Sequence, residues 1–189
     1  MPEESKTKEL PVEPAWLIEL EDNLSNEKEK GKKVRVQFNP ESLKLSYANQ
    51  LQTQSNGGAS PPPAGNQAHG TPSQQFVGAG TTKLAVQLWF DVSAATAPPF
   101  MVDDVRRLTA EVLYFMKPRK PEGSAADTAQ RTPPGVRFSW GNFLFNGIVE
   151  SMEENIEFFS NTGNALRASM TLNLIQQDIL VPAFVTQQA

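Results

Sequence analysis

The chain has 189 residues and a formal net charge of −4, so its overall charge does not favour nucleic acid or an anionic membrane as a partner. It contains no cysteine, which excludes disulfides, thiolate metal sites and thiol nucleophiles. A hydrophobic content of 39%, with 15 prolines and 12 glycines, predicts one modest core interrupted by polar segments.

Alternation of apolar and polar residues predicts the strands of the first half of the chain, at 15–20, 34–38 and 84–92. In the first strand Trp16, Ile18 and Leu20 share one parity. In the last strand the apolar residues Leu84, Val86, Leu88, Phe90 and Val92 line one face. Leu43, Leu45 and Tyr47 also share a parity and suggest a short additional strand.

Composition predicts where the ordered domain begins and ends. Residues 1–14 are charged and contain proline, and we expect a flexible arm there. A single domain should cover 15–180, followed by a tail at 181–189. Two long flexible loops are expected inside it, because residues 50–75 and 118–135 are rich in Pro, Gly and small polar residues.

One helix is predicted, at residues 102–116, because the apolar period changes there from two to about four residues. Its apolar stripe consists of Val105, Leu108, Val112 and Phe115 or Met116. Asp103 and Asp104 suit the N-terminus of a helix, and Pro118 should end it. One helix with one stripe can cover one face of a small sheet.

The last third of the chain, residues 136–175, predicts two or three consecutive strands closed by a hairpin. Its final strand alternates with apolar residues at Leu166, Ala168, Met170, Leu172 and Leu174. The turn SNTGN at 160–164 places Gly163 where a left-handed backbone is needed. Such a sheet has exposed edges, and we expect these edges or the outer faces to be used in oligomerisation.

No catalytic, cofactor or metal site is predicted. His69, the single histidine, lies in the loop at 50–75 without ligands at metal spacing. Glu153 and Glu157 could be the acid and base of a hydrolase, but an exposed strand ladder explains them more simply. A glycan-binding β-sandwich that uses Trp89 and Trp140 is a second alternative.

Short motifs in the first part of the chain resemble those of contractile injection system tube proteins. VQFNPE at 36–41 resembles the family's F-N-P opening, and LAVQLWFD at 84–91 resembles its strand that ends in an aromatic-Asp pair. PPGVRFSWG at 133–141 is similar to the pattern P-P-x-V-x-F-x-W-G.

The resemblance continues through the last third. FNGIVES at 145–151 is similar to F-x-G-V-V-E-S, and FSNTGNALRA at 159–168 is similar to F-S-x-x-G-x-P-L-R-A, with Ala165 where the family often has Pro. The motif positions are Phe38, Asn39, Pro40, Asp91, Phe138, Trp140, Gly141, Gly147, Glu150, Phe159, Gly163, Leu166 and Arg167. Within the family, the set of motifs resembles that of the tube-initiator or baseplate adaptor proteins. The resemblance implies that these residues have structural roles.

The resemblance also implies a mainly β fold: an antiparallel β-sandwich or barrel of the tail-tube kind, with one packed helix. Six copies would form a ring whose strands make one continuous barrel around a lumen. That ring would connect a spike or hub protein of the VgrG type to the inner tube and template tube assembly, beside baseplate or sheath components. The alternative within the same particle is a repeated inner-tube protein.

The position of the chain in the cell is also an expectation. Its start lacks the apolar segment of a secretory signal, and no run reaches the roughly 18 apolar residues that cross a bilayer. We therefore expect cytoplasmic assembly into a bacterial phage-tail-like particle, without enzymatic activity, nucleic acid or membrane insertion. Relatives often carry a LysM domain after this module, and we expect none here because the sequence ends at Ala189.

Overall fold

The computed structural model describes residues 14–37, 43–53, 74–93, 98–120, 131–178 and 183–184. The strands within them are β1 Ala15–Glu19, β2 Lys33–Val36, β3 Lys44–Thr53, β4 Gln74–Asp91, β5 Gly135–Trp140, β6 Phe143–Phe159, β7 Ala165–Gln176 and β8 Ala183–Phe184. The helix α1 is Arg106–Leu113, and the 3-10 turn Tyr114–Met116 follows it directly. The predicted mainly β fold with one packed helix is confirmed. Neither of these two helical segments could serve as a membrane span.

The strands form one antiparallel sheet in the order β2-β1-β5-β6-β7-β4-β3, and β8 pairs with the start of β6. The sheet curls so that β2, at one end of this order, approaches β4. The N–H of Trp89 in β4 donates to the carbonyl of Gln37, immediately after β2, at 3.0 Å. Lys44 of β3 lies opposite Ala85 further along β4. β2 and β3 therefore follow one another along the same edge of β4.

The core lies inside the curled sheet, where alternate residues of each strand point. The apolar residues of β4 that share one parity, Leu84, Val86, Leu88 and Phe90, are all buried. Their partners on β7, Ala168, Met170, Leu172 and Leu174, are buried too. The predicted core faces of both strands are confirmed, with Leu166 only half-buried.

The helix packs on this core with its predicted stripe, since Val105, Leu108, Val112 and Phe115 are buried. The predicted start at residue 102 is wrong, because α1 begins at Arg106. Asp104, just before it, has two backbone partners. Its carboxylate accepts the N–H of Arg106 at 2.9 Å and the N–H of Ala165 at 3.4 Å, so it also joins the helix start to β7.

Three local predictions need correction. In β1 the buried residues are Ala15, Leu17 and Glu19, whereas Trp16 is exposed and Ile18 is half-buried. The predicted loop at 50–75 is too long at both ends, because β3 extends to residue 53 and β4 begins at residue 74. Residues 54–73, with His69, lie outside the described residues. In the predicted loop at 118–135, Arg119 and Thr132 form an isolated β-bridge.

The predicted hairpin of the last third is confirmed as β6 and β7. Gly163 in its turn has a φ of +87°, which side-chain-bearing residues rarely adopt. Gly141, between β5 and β6, has a φ of +54°, which lies in the same left-handed region. Two residues of the expected tail form β8, and the division into arm, domain and tail stays a prediction.

The 17-residue strand β6 has two different halves. Its proximal half, residues 143–149, has β5 beside it as far as Ile148. Its distal half, residues 150–159, pairs with β7. The register shifts between Val149 and Ser151, which is a β-bulge at Glu150. The bulge therefore marks the boundary between the two halves.

Candidate assembly surfaces

Two strand edges of the sheet are open in the part of the chain that the structure describes. β3 pairs with β4 along one side, and no described strand pairs with its other side. The distal half of β6 pairs with β7, and no described strand covers its opposite side beyond Ile148. The four strands between these edges, in the order β3-β4-β7-β6, present unpaired backbone groups on both sides. Such edges can template pairing with another chain.

The outward face of these four strands, opposite the core, is mostly polar. Three rows of Cα partners cross it: Asp91–Arg167–Glu157, Trp89–Ser169–Asn155 and Gln87–Thr171–Glu153. The predicted exposed ladder of Glu153, Asn155 and Glu157 is confirmed, because all three side chains are exposed. Trp89 is an exposed aromatic residue within this polar face.

The motif residues Asp91 and Arg167 form an ion pair on this face. The Nε of Arg167 lies 2.6 Å from Oδ2 of Asp91, and the Ser93 backbone N–H donates to Oδ1 at 2.9 Å. Burial raises the pKa of Asp91, but the hydrogen bonds from Ser93 and Arg167 outweigh it, so the pKa lies below its ordinary value. The pair joins β4 to β7 at the end of the sheet.

Two further motif residues lie where β6 crosses from β5 to β7. The carboxylate of Glu150, at the bulge, accepts hydrogen bonds from Nζ of Lys83 at 2.6 and 2.8 Å. A Cβ on Gly147 would lie 2.7 Å from the carbonyl oxygen of Ile175, closer than real Cβ contacts come. Glycine is therefore required for the close approach of β6 and β7 at this point.

The tip of the β6–β7 hairpin carries two exposed phenylalanines. Phe158 and Phe159 are 57% and 58% exposed, although both are large apolar residues. Phe158 has a φ of +55°, a rare backbone conformation for a bulky residue. Its ring lies 5.2 Å from Cζ of Arg167, on the outward face. Because such strained residues concentrate at functional sites, the tip is a candidate contact.

A shallow groove of about 290 Å³ lies between β2 and α1. Its wall includes Val34, Pro99, Val102 and Leu108. Three basic residues, Lys33, Arg35 and Arg107, and one acidic residue, Glu111, also line it. The volume is at the low end for small-molecule pockets, so the groove is better matched to a side chain.

A buried carboxylate that the sequence patterns did not predict stabilises the opposite end of the molecule. Glu19 is 3% exposed and accepts hydrogen bonds from the Lys32 backbone N–H at 2.9 Å, the Tyr114 hydroxyl at 2.7 Å and Nη1 of Arg119 at 3.0 Å. Burial raises the pKa of Glu19, but these donors outweigh it and hold the pKa below its ordinary value. β1, the 3-10 turn and the Arg119–Thr132 bridge are joined through this one side chain.

The remaining motif residues are placed as follows. Phe138 is buried, Trp140 is half-buried, and the carbonyl of Leu166 accepts the Val92 N–H at 3.0 Å. Phe38, Asn39 and Pro40 lie outside the described residues. Asp91, Phe159 and Arg167 come together at one end of the sheet. The structural roles assigned to the motif residues stay a prediction.

The geometry gives little support to the two alternative sites, a glycan-binding platform and a hydrolase carboxylate pair. Trp89 is on β4 and Trp140 is on β5, three strand spacings apart, or roughly 14 Å. A shared stacking platform would need them closer. Glu153 and Glu157 lie on an exposed strand face rather than in a cleft, and no cluster of three metal-ligating side chains occurs among the described residues.

Comparison with known proteins gives one family match. The model of the family described as contractile injection system tube protein matches residues 12–180. This range contains all nine motif positions of the last third, which the structure describes, as well as both open edges. No curated protein matches the chain.

Proposed function

Because the chain belongs to the contractile injection system tube protein family, we propose that it forms a closed ring in which the β6 edge of one copy pairs with the β3 edge of the next. The repeated unit is the four-stranded sheet β3-β4-β7-β6. A closed ring has no free strand edge, which removes the aggregation hazard that two open edges create in a monomer. The role is structural rather than catalytic.

The observation that carries this proposal is the pair of open edges on opposite sides of one sheet. A head-to-tail contact between two different edges produces a ring when the rotation between copies closes. The edges are of similar length, since β3 has 10 residues and the distal half of β6 also has 10. The outward face, which carries the Asp91–Arg167 pair, would line the lumen, and the helix would lie outside.

We further propose that one such ring, of six copies, connects the spike or hub to the inner tube and templates tube assembly in the cytoplasm. The order of the motifs along the chain supports this position, as does their similarity to those of tube-initiator proteins. The ring's partners would be the hub on one side and inner-tube proteins on the other. The repeated inner-tube protein remains the alternative within the same particle.

The oligomeric state tests the ring itself. The full chain, alone and co-expressed with the hub and inner-tube proteins, would be examined by native mass spectrometry and by class averages of electron micrographs. We expect closed rings with a central lumen. A chain that stays monomeric under all these conditions would overturn the proposal.

The number of copies per assembled particle tests the position. One ring's worth of copies, located between hub and tube, supports the connecting role. Copies that increase in proportion to tube length would instead identify a repeated inner-tube protein. Quantitative mass spectrometry of purified particles gives the count, and a tag on the chain locates it in micrographs.

A further inference from the structure

We infer that the ring junction has one fixed register, in which the carboxylate of Glu154 in one copy accepts a hydrogen bond from the Tyr47 hydroxyl of the next copy. The inference rests on the proposed ring and names the residues of its junction. A buried oxygen without a partner, the cross-strand matches and the stagger of the two edges each support this register.

Glu154 lies on the core side of the open β6 edge. Its Cα partner on β7 is Met170, which is fully buried, so both side chains point to the same side of the sheet. Met152 and Ile156 flank Glu154 on that side and are half-buried. The Oε1 atom of Glu154 is buried and has no hydrogen-bond partner among the described residues. A buried carboxylate oxygen without a donor is unfavourable, and a donor from another chain would relieve this cost.

Tyr47 is a suitable donor on the open edge of β3. Its Cα partner on β4 is Thr82, which is fully buried, so Tyr47 also points to the core side. Its side chain is nevertheless 51% exposed, because no described strand covers this edge. The three pairings β3-β4, β4-β7 and β7-β6 are all antiparallel. In a ring whose copies point the same way, β6 and the next β3 therefore meet as an antiparallel pair.

The neighbouring positions match in the same register. Its four opposed pairs are Glu154–Tyr47, Ile156–Leu45, Asn155–Ser46 and Glu157–Lys44. The second pair joins two half-buried apolar side chains, and the third joins two exposed polar ones. Glu157 and Lys44 are exposed side chains of opposite charge. A shift of two residues would place Lys44 opposite Asn155 or Phe159 and lose the charge match, and a shift of one residue would exchange the two faces.

The stagger of this register suits a closed barrel. Within one copy the strand pairings place Lys44 level with Ser151. At the junction Lys44 lies opposite Glu157, so each copy is displaced along the strands by about six residues, or roughly 20 Å. The four strands of one copy are roughly 19 Å wide. Strands in such a ring would tilt by about 45° from its axis, within reach of the tilt that barrels usually have.

Removal of the tyrosine hydroxyl tests the hydrogen bond. In the full chain, Y47F should lower the fraction of rings at a fixed concentration by about tenfold, because the buried Glu154 oxygen again lacks a donor. Y47F combined with E154M should recover most of that loss, since the carboxylate is then absent. Y47F combined with E153M, which changes the adjacent glutamate on the outward face, is the matched control and should not recover it. Recovery by both combinations or by neither, with all variants folded by circular dichroism, would overturn the hydrogen bond.

Cross-linking tests the register separately from the ring, and it exploits the absence of native cysteine. N155C combined with S46C should form disulfides between copies under mild oxidation, because directly opposed residues of antiparallel strands lie within disulfide range. The product should be a ladder of bands that ends at the closed ring. N155C combined with A48C, two residues further along the same face, is the control and should give no ladder. Rings that form without cross-linking of the first pair would overturn the register and leave the proposed ring standing. If no rings form, the proposed function itself fails.

Discussion

The proximal and distal halves of β6 belong to one strand, yet they have opposite relations to the core. In the proximal half alternate residues are fully buried, and β5 lies alongside. In the distal half no residue is fully buried, and the edge opposite β7 is open in the described structure. Folding of a single copy depends on the first half. The second half is supported by β7 and offers its free side to another chain.

This contrast separates residues that stabilise the monomer from residues that are available for assembly. Apolar residues in the proximal half, such as Phe143 and Phe145, are buried within a single copy. The apolar residues at the distal end, Phe158 and Phe159, are exposed to solvent. The same residue type should therefore have different effects in the two halves when it is truncated.

The largest expected effect compares Phe145 with Phe159. F145A should lower the free energy of unfolding by about 3–5 kcal/mol, because it removes a buried ring and leaves a cavity. F159A should change it by less than about 0.5 kcal/mol, since the ring is largely exposed. Urea denaturation of both variants at a concentration where the chain is monomeric measures this. Equal losses would break the distinction between the halves.

A second prediction tests the buried carboxylate Glu19, at the end of the sheet opposite the hairpin tip. E19Q should lower the free energy of unfolding by about 1–3 kcal/mol at pH 7, because charge-assisted hydrogen bonds to Glu19 are lost while Arg119 stays in place. T132S, at the exposed bridge nearby, should have little effect and is the control. An unchanged melting temperature for E19Q would show that the carboxylate does not stabilise the fold.

The pH dependence of the same variant follows from the lowered pKa of Glu19. A folded-state pKa below the unfolded value adds stability that is fully present above the unfolded pKa, near 4.3. That stability is lost as the pH falls through the folded pKa. The difference in melting temperature between the wild type and E19Q should therefore shrink between pH 6 and pH 3. A difference that grows on acidification would contradict the direction of the shift.

A third, smaller effect concerns the turn that ends the distal half. G163A should cost about 1–2 kcal/mol, because alanine in the left-handed region brings its Cβ close to the following carbonyl. G163N should cost less, because asparagine tolerates this conformation better. No atom lies within 4 Å of an added Cβ, so a clash would not explain a loss. Thermal unfolding of both variants separates them, and equal effects would exclude the backbone explanation.

The smallest expected effect is that of the Asp91–Arg167 pair. Both side chains are substantially exposed, so a double-mutant cycle with D91A and R167A should give a coupling energy of about 0.2–1 kcal/mol in the monomer. Urea denaturation of the wild type, both single variants and the double variant measures this coupling. A coupling energy well above that range would contradict the interpretation of an exposed, screened ion pair.

The sequence predicted those elements in which one face is buried and the other is wet. In β4 and β7 the alternation is regular because the core lies on one side, and the hairpin turn is specified by Gly163. It did not predict the outer part of β3 or the start of β4. Residues 50–53 contain a single apolar residue, Leu51, and therefore no apolar alternation. Their strand conformation comes from pairing with residues that are far away in the sequence.

The missed site features have the same physical origin. Glu19 is buried because Tyr114 and Arg119, about a hundred positions away, donate to it, and no local pattern contains that information. The helix begins later than predicted, and Asp104 has a second partner in Ala165 on another element. The sequence predicted that the sheet would have open edges, but only the order of strand pairing shows which strands form them.

The bulge at Glu150 has one more consequence, for the phase of the strand. In the proximal half the buried positions are odd-numbered, as in Phe143, Phe145 and Val149. In the distal half the half-buried positions are even-numbered, as in Met152 and Ile156. One additional residue thus reverses which side chains face the core. Deletion of this residue would turn the side chains of Glu153, Asn155 and Glu157 toward the core without changing any of them. The bulge therefore determines which face of the distal half is exposed to another molecule.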